Sequence, residues 1–326
     1  MTTGLAGPGE TEGPARAIFL GSGAFAVPIL DALVEAPEIE LVGVVSAPDR
    51  PVGRSGVVTA VPVAARARAL GLALLQPERV RAADAVEAIA GLRPHIGVLA
   101  DYGQIVPAAL LDVPGRGILN VHPSLLPRHR GASPIPATIL AGDGETGVTL
   151  IRMDAGLDTG PIVAVDRWPL RGDELAPDLE RWAAEAGAAL VARTIGPWLR
   201  GEIAATPQPS EGVTLTRPLR RDDGRLDPSR PALELEREVR AYQPWPGSFV
   251  ETVAGRLIVW RAGIELGGKA SAGMIDGDGA NGALRLGTAD GWLILDEVQP
   301  AGGRRMRGTE LLRGRPALAG SRVRAE

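Results

Sequence analysis

The sequence predicts an α/β protein with a mostly parallel sheet, followed by a small β-barrel. Up to about residue 200, short and almost continuous apolar runs alternate with helical patterns, which is typical of βαβ units. After about residue 216, short β-like segments with glycine-rich turns replace this alternation. At 326 residues the chain is also too long for one ordinary core, so two domains are expected.

The first half of the predicted sheet is read from four apolar segments. ARAIFLGSG is a buried strand that leads into a glycine turn, and the helical stretch AFAVPILDALVEA follows it. EIELVGVVS is the second strand, and LALLQPE contains a short third one. DAVEAIAGL is helical and precedes HIGVLA, the fourth strand. Such an alternation of strands and helices predicts βαβ units and a parallel sheet.

The second half of the domain begins with GRGILNVHP, the fifth predicted strand. TGVTLIRMDAGLDTGPIVAVDRWPL contains two further strands joined by a turn rich in Gly and Asp. The long amphipathic pattern in PDLERWAAEAGAALVARTIGPWL predicts a helix that closes the domain. The first domain is therefore expected to span 16–204, after a disordered tail at 1–15.

The remainder of the chain divides into a linker and a small second domain. Residues 205–215 lie in a stretch that lacks a clear period and carries Pro, Gly and Ser, which indicates a linker. Residues 216–326 form the second domain, in which the helical piece ALELEREVRAY precedes the β-like segments GSFVETVAGRLIVWRAGIEL and GALRLGTADGWLILDEVQP.

The two parts of the chain differ in charge. Residues 1–215 carry 17 basic and 24 acidic side chains, and 216–326 carry 18 and 15, so the net charges are −7 and +3. A basic second part is compatible with a polyanionic partner and equally with an ordinary arginine-bearing surface. The first 15 residues lack the positively charged and apolar regions that a signal peptide has, so a cytoplasmic protein is expected. Cysteine is absent, so neither disulfides nor a thiolate zinc site is expected.

The turn after the first strand reads GSGAFA, Gly21–Ala26, and fits the outline of a dinucleotide-binding fingerprint. The acidic residue that such a site needs is expected at the C-terminal end of the second strand. Glu40 lies instead at the beginning of that strand, and any tight strand-to-helix turn favours small residues. The pattern therefore leaves an NAD(P) oxidoreductase as a weak alternative.

Asn120 and His122 stand at the C-terminal end of the fifth predicted strand. Residues i and i+2 of a strand share one face, and this edge of an open α/β sheet is where ligands bind. An amide and an imidazole side by side can stabilise an oxyanion, and His122 can move protons near neutral pH. Ser124 follows outside any nucleophile turn, so direct transfer to an incoming nucleophile is favoured over a covalent intermediate.

Asp158 lies in the turn between the sixth and seventh predicted strands, together with Asp154. It could hold the His122 imidazole, fix its tautomer and stabilise its cation. Two acids in a glycine turn are more commonly solvated turn residues, so this role requires contact with His122. With only three histidines, of which His95 precedes a strand and His129 sits in a basic turn, no metal site is expected.

Seven stretches carry a family resemblance: PDRPVGR (Pro48–Arg54), DYGQIVP (Asp101–Pro107), NVHPSLLPRHRGASPI (Asn120–Ile135), AGDGETGVTL (Ala141–Leu150), MDAGLDTGPI (Met153–Ile162), RAYQPWPGSF (Arg240–Phe249) and VQPAGGRRM (Val298–Met306). From about residue 16 to its end the chain resembles the methionyl-tRNA formyltransferase family. The resemblance implies a Rossmann-like, mostly parallel sheet of the formyltransferase fold and an OB-like β-barrel at the C-terminus.

The resemblance also implies the reaction. The α-amine of methionine on initiator tRNA would attack the formyl carbon of 10-formyltetrahydrofolate, with Asn120, His122 and Asp158 as the catalytic set. The implied folate-pocket residues are Ser124, Leu125, Leu126, Pro127, Asp101, Tyr102 and Gly156. The implied tRNA contacts are Arg50, Arg54, Arg304 and Arg305. A monomer that does not bind a membrane is expected.

Two other functions remain open on the same residues. A formyltransferase acting on an amino-sugar nucleotide would share the catalytic set, whereas the DRPVGR loop and the PWPGSF segment favour the tRNA enzyme. A glycinamide ribonucleotide formyltransferase is disfavoured because it lacks a second domain. A non-catalytic RNA-binding protein on this scaffold would have no need to retain Asn120, His122 and Asp158.

Overall fold

The computed structural model describes residues 13–52, 56–267, 271–277 and 282–324. The chain divides into two compact units. One contains the described residues of Met1–Arg130, Gly147–Arg167 and Arg181–Thr214, and the other contains those of Gly131–Thr146, Trp168–Glu180 and Leu215–Glu326. Ala15, the last residue of the predicted tail, already begins the first strand.

The helices of the described residues are α1 Ala26–Glu35, α2 Pro62–Ala69, α3 Ala83–Gly91, α4 Ala108–Leu111, α5 Pro134–Ala141, α6 Ala176–Leu199, α7 Ala232–Ala241 and α8 Gly308–Gly314. The strands are β1 Ala15–Gly21, β2 Ile39–Val45, β3 Arg50–Val52, β4 Val57–Thr59, β5 Leu74–Leu75, β6 Ile96–Ala100, β7 Ile118–His122, β8 Arg130–Gly131, β9 Glu145–Arg152, β10 Ile162–Pro169, β11 Leu215–Thr216, β12 Ser248–Thr252, β13 Gly255–Leu266, β14 Ile275–Asp276, β15 Arg285–Gly287, β16 Gly291–Pro300 and β17 Met306–Arg307. Short 3-10 turns cover Arg221–Gly224 and Pro316–Leu318.

The sheet of the first unit contains seven strands within the described ranges, in the order β10-β9-β7-β6-β1-β2-β5. The pairs β1–β2, β1–β6, β2–β5 and β6–β7 are parallel, and β9 runs antiparallel to β7. The prediction of a mostly parallel α/β sheet is confirmed. The carboxyl ends of β1, β6 and β7 therefore meet at one edge, where Gly21, Ala100 and His122 end their strands.

The central strands read as continuous apolar runs because helices and loops cover both faces of the sheet. All five residues of β6 and all five of β7 are buried. Helix α1 contributes the fully buried Ile29, Leu30 and Leu33 to this core. The apolar pattern of the central strands thus follows from their position between two covered faces.

Several elements were not predicted. Helix α5, PIPATILA, begins with Pro134 and has a second proline two residues later, which gives it the sequence appearance of a loop. Proline is tolerated in a first helical turn because the missing N–H would have no intrahelical partner there. Helices α2 and α8 and the β3–β4 hairpin, whose strands pair antiparallel, were also absent from the predicted order.

The second unit contains an antiparallel sheet in the order β12-β13-β16-β15-β14, with β17 added to β16. Its core is filled by the fully buried Leu235 and Val239 of α7 and by apolar residues of the strands, such as Val259 and Leu293. The predicted succession of short strands is confirmed as an antiparallel sheet. The OB-like barrel form stays a prediction.

Within the described ranges, no helix combines the length and apolar character needed to span a membrane.

Candidate active site

Strand β7 places an amide and an imidazole side by side at the edge of the sheet. Asn120 and His122 are two residues apart on this strand and both are buried. The intervening Val121 is also buried and lies on the opposite face. The strand therefore fixes the backbone positions of Asn120 and His122 before any ligand is bound.

Asp158 joins this pair from the turn between β9 and β10. Its carboxylate Oδ1 accepts a hydrogen bond of 3.0 Å from Asn120 Nδ2. Its Oδ2 lies 3.6 Å from His122 Nδ1. The structure thus brings together the three residues expected to form the catalytic set, and it supplies the contact on which a role for Asp158 depended.

The second ring nitrogen of His122 determines its tautomer. Nε2 lies 3.0 Å from the backbone carbonyl of His129. Because a carbonyl only accepts, Nε2 carries a hydrogen and Nδ1 faces Asp158. The expectation that Asp158 fixes the tautomer is therefore replaced by a different arrangement, in which the His129 carbonyl does so.

Burial lowers the pKa of His122, and the nearby Asp158 charge counteracts part of this effect. The imidazole is consequently neutral near neutral pH, with the Nδ1 lone pair directed toward the carboxylate side. A neutral ring in this orientation can accept a proton at Nδ1. Once protonated, it is stabilised by Asp158.

The loop after β7 is held by backbone-directed hydrogen bonds. Ser124 Oγ donates to the Arg128 carbonyl at 2.7 Å. Thr149 Oγ1 donates to the Ser124 carbonyl at 2.7 Å and accepts from the Leu126 amide at 3.1 Å. Ser124 therefore acts as a turn residue, in agreement with the sequence-based argument against a serine nucleophile.

A cavity of about 330 Å³ opens beside Asn120 and Asp158. Its walls come from the β6 end, from β9 and from the turn after β9. Ile105 and Leu157 line it while remaining 89% and 60% exposed, so two large apolar side chains stand at its rim. Exposed apolar side chains around a concave site provide a surface that a bound ligand can cover.

The predicted folate-pocket residues occupy different places. Tyr102 and Gly156 line the cavity. The Tyr102 phenol oxygen is buried and makes no hydrogen bond within the described residues, and burial raises the pKa of this phenol. The Ser124–Pro127 turn is outside the cavity lining, and within it Leu125 packs toward Gly147.

Asp101 lies over the first glycine turn rather than in the cavity lining. A Cβ atom at Gly23 would come within 1.6 Å of Asp101 Oδ2, so the glycine is required by this approach. The Asp101 carbonyl accepts hydrogen bonds from the Ser22 and Gly23 amides at 3.0 and 3.2 Å. Asp101 therefore occupies the space beside Gly23 and binds both amides. Its approach accounts for the small residues of this turn, and no bound dinucleotide is needed to explain them.

The predicted tRNA contacts are exposed where they are described. Arg50 begins the β3 strand of the hairpin, and Arg54 lies outside the described residues. Arg304 and Arg305 are exposed on the loop between β16 and β17. The Arg305 guanidinium stacks on the Trp260 ring, 3.4 Å from its centroid.

The sequence analysis did not identify the residues that hold Asn120, His122 and Asp158 in place. His129 contributes its carbonyl to His122, and its own amide donates to Thr214 Oγ1 at 2.7 Å. Gln208 donates to the carbonyls of Asp158 and Gly160 at 2.7 and 2.8 Å. Backbone acceptors leave no side-chain signature, and Gln208 lies in a stretch without a period.

Comparison with known proteins identifies the family. A sequence model described as "Formyl transferase" matches residues 15–195, and one described as "Formyl transferase, C-terminal domain" matches 218–316. The chain is 40% identical over 306 residues to the methionyl-tRNA formyltransferase of Myxococcus xanthus, covering 94% of this chain and 97% of that protein. It is 43% identical over 316 residues to the enzyme of the same name from Halorhodospira halophila, covering 95% and 99%.

A solved structure shares the fold at low sequence identity. It is the N-formyltransferase of Helicobacter canadensis in complex with folinic acid and dTDP-3-aminofucose, with a TM-score of 0.62 and 16% identity, covering 90% of this chain and all of that one. This likeness concerns the fold alone. With the two family models and the relatives that match along nearly their whole length, the comparisons show that the chain belongs to the methionyl-tRNA formyltransferase family.

Proposed function

We propose that this protein transfers the formyl group of 10-formyltetrahydrofolate to the α-amine of methionine on initiator tRNA. The observation that carries the proposal is the contact of Asp158 with both Asn120 and His122 beside an open cavity. This arrangement supplies an oxyanion donor and a proton acceptor, as direct acyl transfer requires, without a covalent enzyme intermediate. Family membership supports the choice of donor and acceptor.

The folate donor is assigned to the cavity beside Asn120. The exposed Ile105 and Leu157 at its rim suit a flat aromatic ring, and Tyr102 and Gly156 contribute to its wall. The Helicobacter canadensis protein of the same fold was solved with folinic acid, which supports this assignment. Asp101 and the Ser124–Pro127 turn stay predicted folate-pocket residues.

The reaction balances without a cofactor beyond the donor. The amine nitrogen forms a bond to the formyl carbon, and the carbonyl electrons move to oxygen. Collapse of this tetrahedral intermediate restores the carbonyl and breaks the bond to the folate nitrogen. One proton leaves the attacking nitrogen and one arrives on the leaving nitrogen, so the enzyme must bind the oxyanion and move one proton.

The site divides these two tasks between its side chains. Asn120 Nδ2 uses one of its two hydrogens on Asp158, and the other is directed to the developing oxyanion. His122 Nδ1 takes the proton from the amine, because the other ring nitrogen is committed to the His129 carbonyl. Asp158 stabilises the resulting imidazolium until the proton passes to the folate nitrogen.

Arginines of both units are proposed to contact tRNA. Arg50 is exposed on the β3–β4 hairpin, and Arg304 and Arg305 are exposed in the basic C-terminal part. The Arg305–Trp260 stack fixes one guanidinium at a surface, and phosphate contacts of this kind are salt-sensitive. An OB-like barrel form of the antiparallel sheet would present Arg304 and Arg305 on a curved surface.

The amino-sugar alternative keeps one supporting observation, which is the fold shared with a protein solved with dTDP-3-aminofucose. The relatives of 40% and 43% identity favour tRNA. Purified protein, incubated with 10-formyltetrahydrofolate and either Met-charged initiator tRNA or a dTDP-amino sugar, decides between them. Formylation of the tRNA alone supports the proposal, and formylation of the sugar alone contradicts it.

Several further expectations stay predictions. They are the domain division at 16–204, 205–215 and 216–326, the absence of a bound metal, a monomeric state and a cytoplasmic location.

A further inference from the structure

Asp158 occupies an unfavourable backbone conformation. Its φ angle of 51° lies in the left-handed region, which is uncommon for a residue with a Cβ atom and is stabilised by surrounding contacts. Gly160, two residues later, is constrained sterically, since a Cβ atom there would lie 1.9 Å from the Arg152 carbonyl oxygen. The direction of the Asp158 carboxylate therefore depends on what holds this turn.

One side chain holds the turn through its backbone. Gln208 Nε2 donates to the carbonyl of Asp158 at 2.7 Å and to that of Gly160 at 2.8 Å. Both hydrogens of its amide are thus used on two carbonyls that flank Thr159. A shift of the Asp158 backbone would break the first of these hydrogen bonds and strain the second.

The orientation of the Gln208 amide is itself fixed. Arg130 donates to Gln208 Oε1 from Nε at 3.1 Å and from a terminal guanidinium nitrogen at 2.7 Å. Since a guanidinium only donates, the amide oxygen must face Arg130 and the NH2 group must face the turn. All four hydrogen-bonding positions of the Gln208 side chain are occupied, so it is a rigid support.

The segment that carries Gln208 is anchored at both ends to the catalytic machinery. Thr206 exchanges two backbone hydrogen bonds with Ile162, at 2.7 and 2.8 Å, beside the Asp158 turn. Thr214 Oγ1 accepts from the amide of His129 at 2.7 Å, and the His129 carbonyl is the partner of His122. One segment, 206–214, thus supports the groups that orient both Asp158 and His122.

We infer that Gln208 is a positioning residue for the transfer reaction, which holds the Asp158 carboxylate between Asn120 and His122 through the backbone of the turn. The inference rests on the proposed function for its kinetic consequence. Gln208 has no contact with the reacting atoms in this account. Its effect is therefore expected in the rate constant of the bound complex rather than in substrate affinity.

Two variants separate the donor role from general packing. Gln208→Leu removes every hydrogen bond of the side chain. Gln208→Glu keeps two acceptors for Arg130 and loses both donors to the turn. Glu211→Gln, an exposed change on the same segment, is the matched control. We expect kcat to fall by about 10–100-fold in both Gln208 variants, with KM for tRNA and for folate changed by less than about threefold, because small displacements of catalytic groups cost this much.

The decisive measurement repeats Gln208→Leu in an Asp158→Asn background. Without a carboxylate to position, the second change should cost less than about twofold in kcat, since residues acting as one unit are not additive. A full, multiplicative loss in that background would show a merely structural role and overturn the inference. So would a kcat within threefold of wild type for both single variants.

A substrate-free readout keeps the inference separate from the proposed function. The chain has three histidines, so nitrogen-15 NMR signals of His122 can be assigned with a His122→Gln variant. Displacement of Asp158 in Gln208→Leu should move the His122 ring signals and lower its pKa, whereas Glu211→Gln should leave both unchanged. Unmoved signals in Gln208→Leu overturn the inference even where the variant transfers the formyl group more slowly. A wild-type protein without transfer activity refutes the proposed function instead, and the NMR result still decides the role of Gln208.

Discussion

Replacing Asp158 with asparagine changes one oxygen to an amide and leaves the shape of the site intact. The new side-chain oxygen can still accept from Asn120 Nδ2, as Oδ1 does now at 3.0 Å. Its NH2 group then faces His122 Nδ1, where Oδ2 lies at 3.6 Å in the native protein. The variant would thus block the lone pair that takes the proton and remove the charge that stabilises the imidazolium.

The size of the effect follows from this separation. Two unit charges 3.6 Å apart interact by about 4–5 kcal/mol at an effective dielectric constant of about 20. This corresponds to about three orders of magnitude in rate if the full charge develops in the transition state. Because proton transfer is incomplete at that point, we expect kcat to fall by about 10²–10³-fold.

The variant should also change the pH profile in a defined direction. Asp158 raises the His122 pKa against the larger lowering by burial, so its loss lowers that pKa further. The proposed proton transfer requires neutral His122, and the acid limb of the kcat profile should therefore move to lower pH. The assay is formyl transfer to Met-charged initiator tRNA under saturating donor between about pH 5 and 8, with Asp84→Asn, an exposed carboxylate on α3, as the control. A rate within threefold of wild type across this range would refute the reasoning.

Four further predictions follow from other contacts. Thr149→Val leaves the Ser124 carbonyl and the Leu126 amide without their partner, and the free energy of unfolding measured in urea should fall by about 1–3 kcal/mol. Burial lowers the pKa of His122 in the folded protein, so below about pH 6.5 the unfolded chain binds a proton that the folded chain does not. The free energy of unfolding therefore falls as pH falls, until the pKa of the folded protein is reached. His122→Gln should flatten this part of the stability profile measured in urea. Arg305→Ala should reduce the slope of log K against log salt for tRNA binding by about one, and an unchanged slope would exclude a phosphate contact. Arg50→Ala should raise KM for charged tRNA more than for folate, and equal effects would argue against a tRNA-contacting hairpin.

The positions of Asn120 and His122 could be predicted because strands impose a simple geometry. An apolar run ending in Asn-x-His places both side chains on one face at the carboxyl edge of a parallel sheet, and the structure has this arrangement. The partnership with Asp158 was harder, because it joins residues 38 positions apart through a turn of irregular backbone. The turn chemistry suggested Asp158 as a partner of His122, but a solvated turn residue remained the commoner interpretation until the family resemblance placed it in the catalytic set.

The supporting contacts were beyond sequence reasoning for a physical reason. The His129 carbonyl and the hydrogen bonds of Gln208 depend on where distant backbone segments meet, and neither apolar periodicity nor charge reports this. Helix α5 was missed because its two prolines suggest a loop although they fit the first turn. Local patterns thus predicted the strands and the polar pair, while long-range backbone contacts determined the tautomer and the carboxylate position.

His122 is proposed to move a proton during formyl transfer to tRNA. The most direct test measures formylation of purified Met-charged initiator tRNA by the wild-type protein and by His122→Ala, with folate binding followed in parallel. We expect transfer by wild type, a loss of about 10²–10⁴-fold in the variant, and nearly unchanged folate affinity. Loss of folate binding with an unaltered transfer rate at saturation would contradict the assigned role of His122.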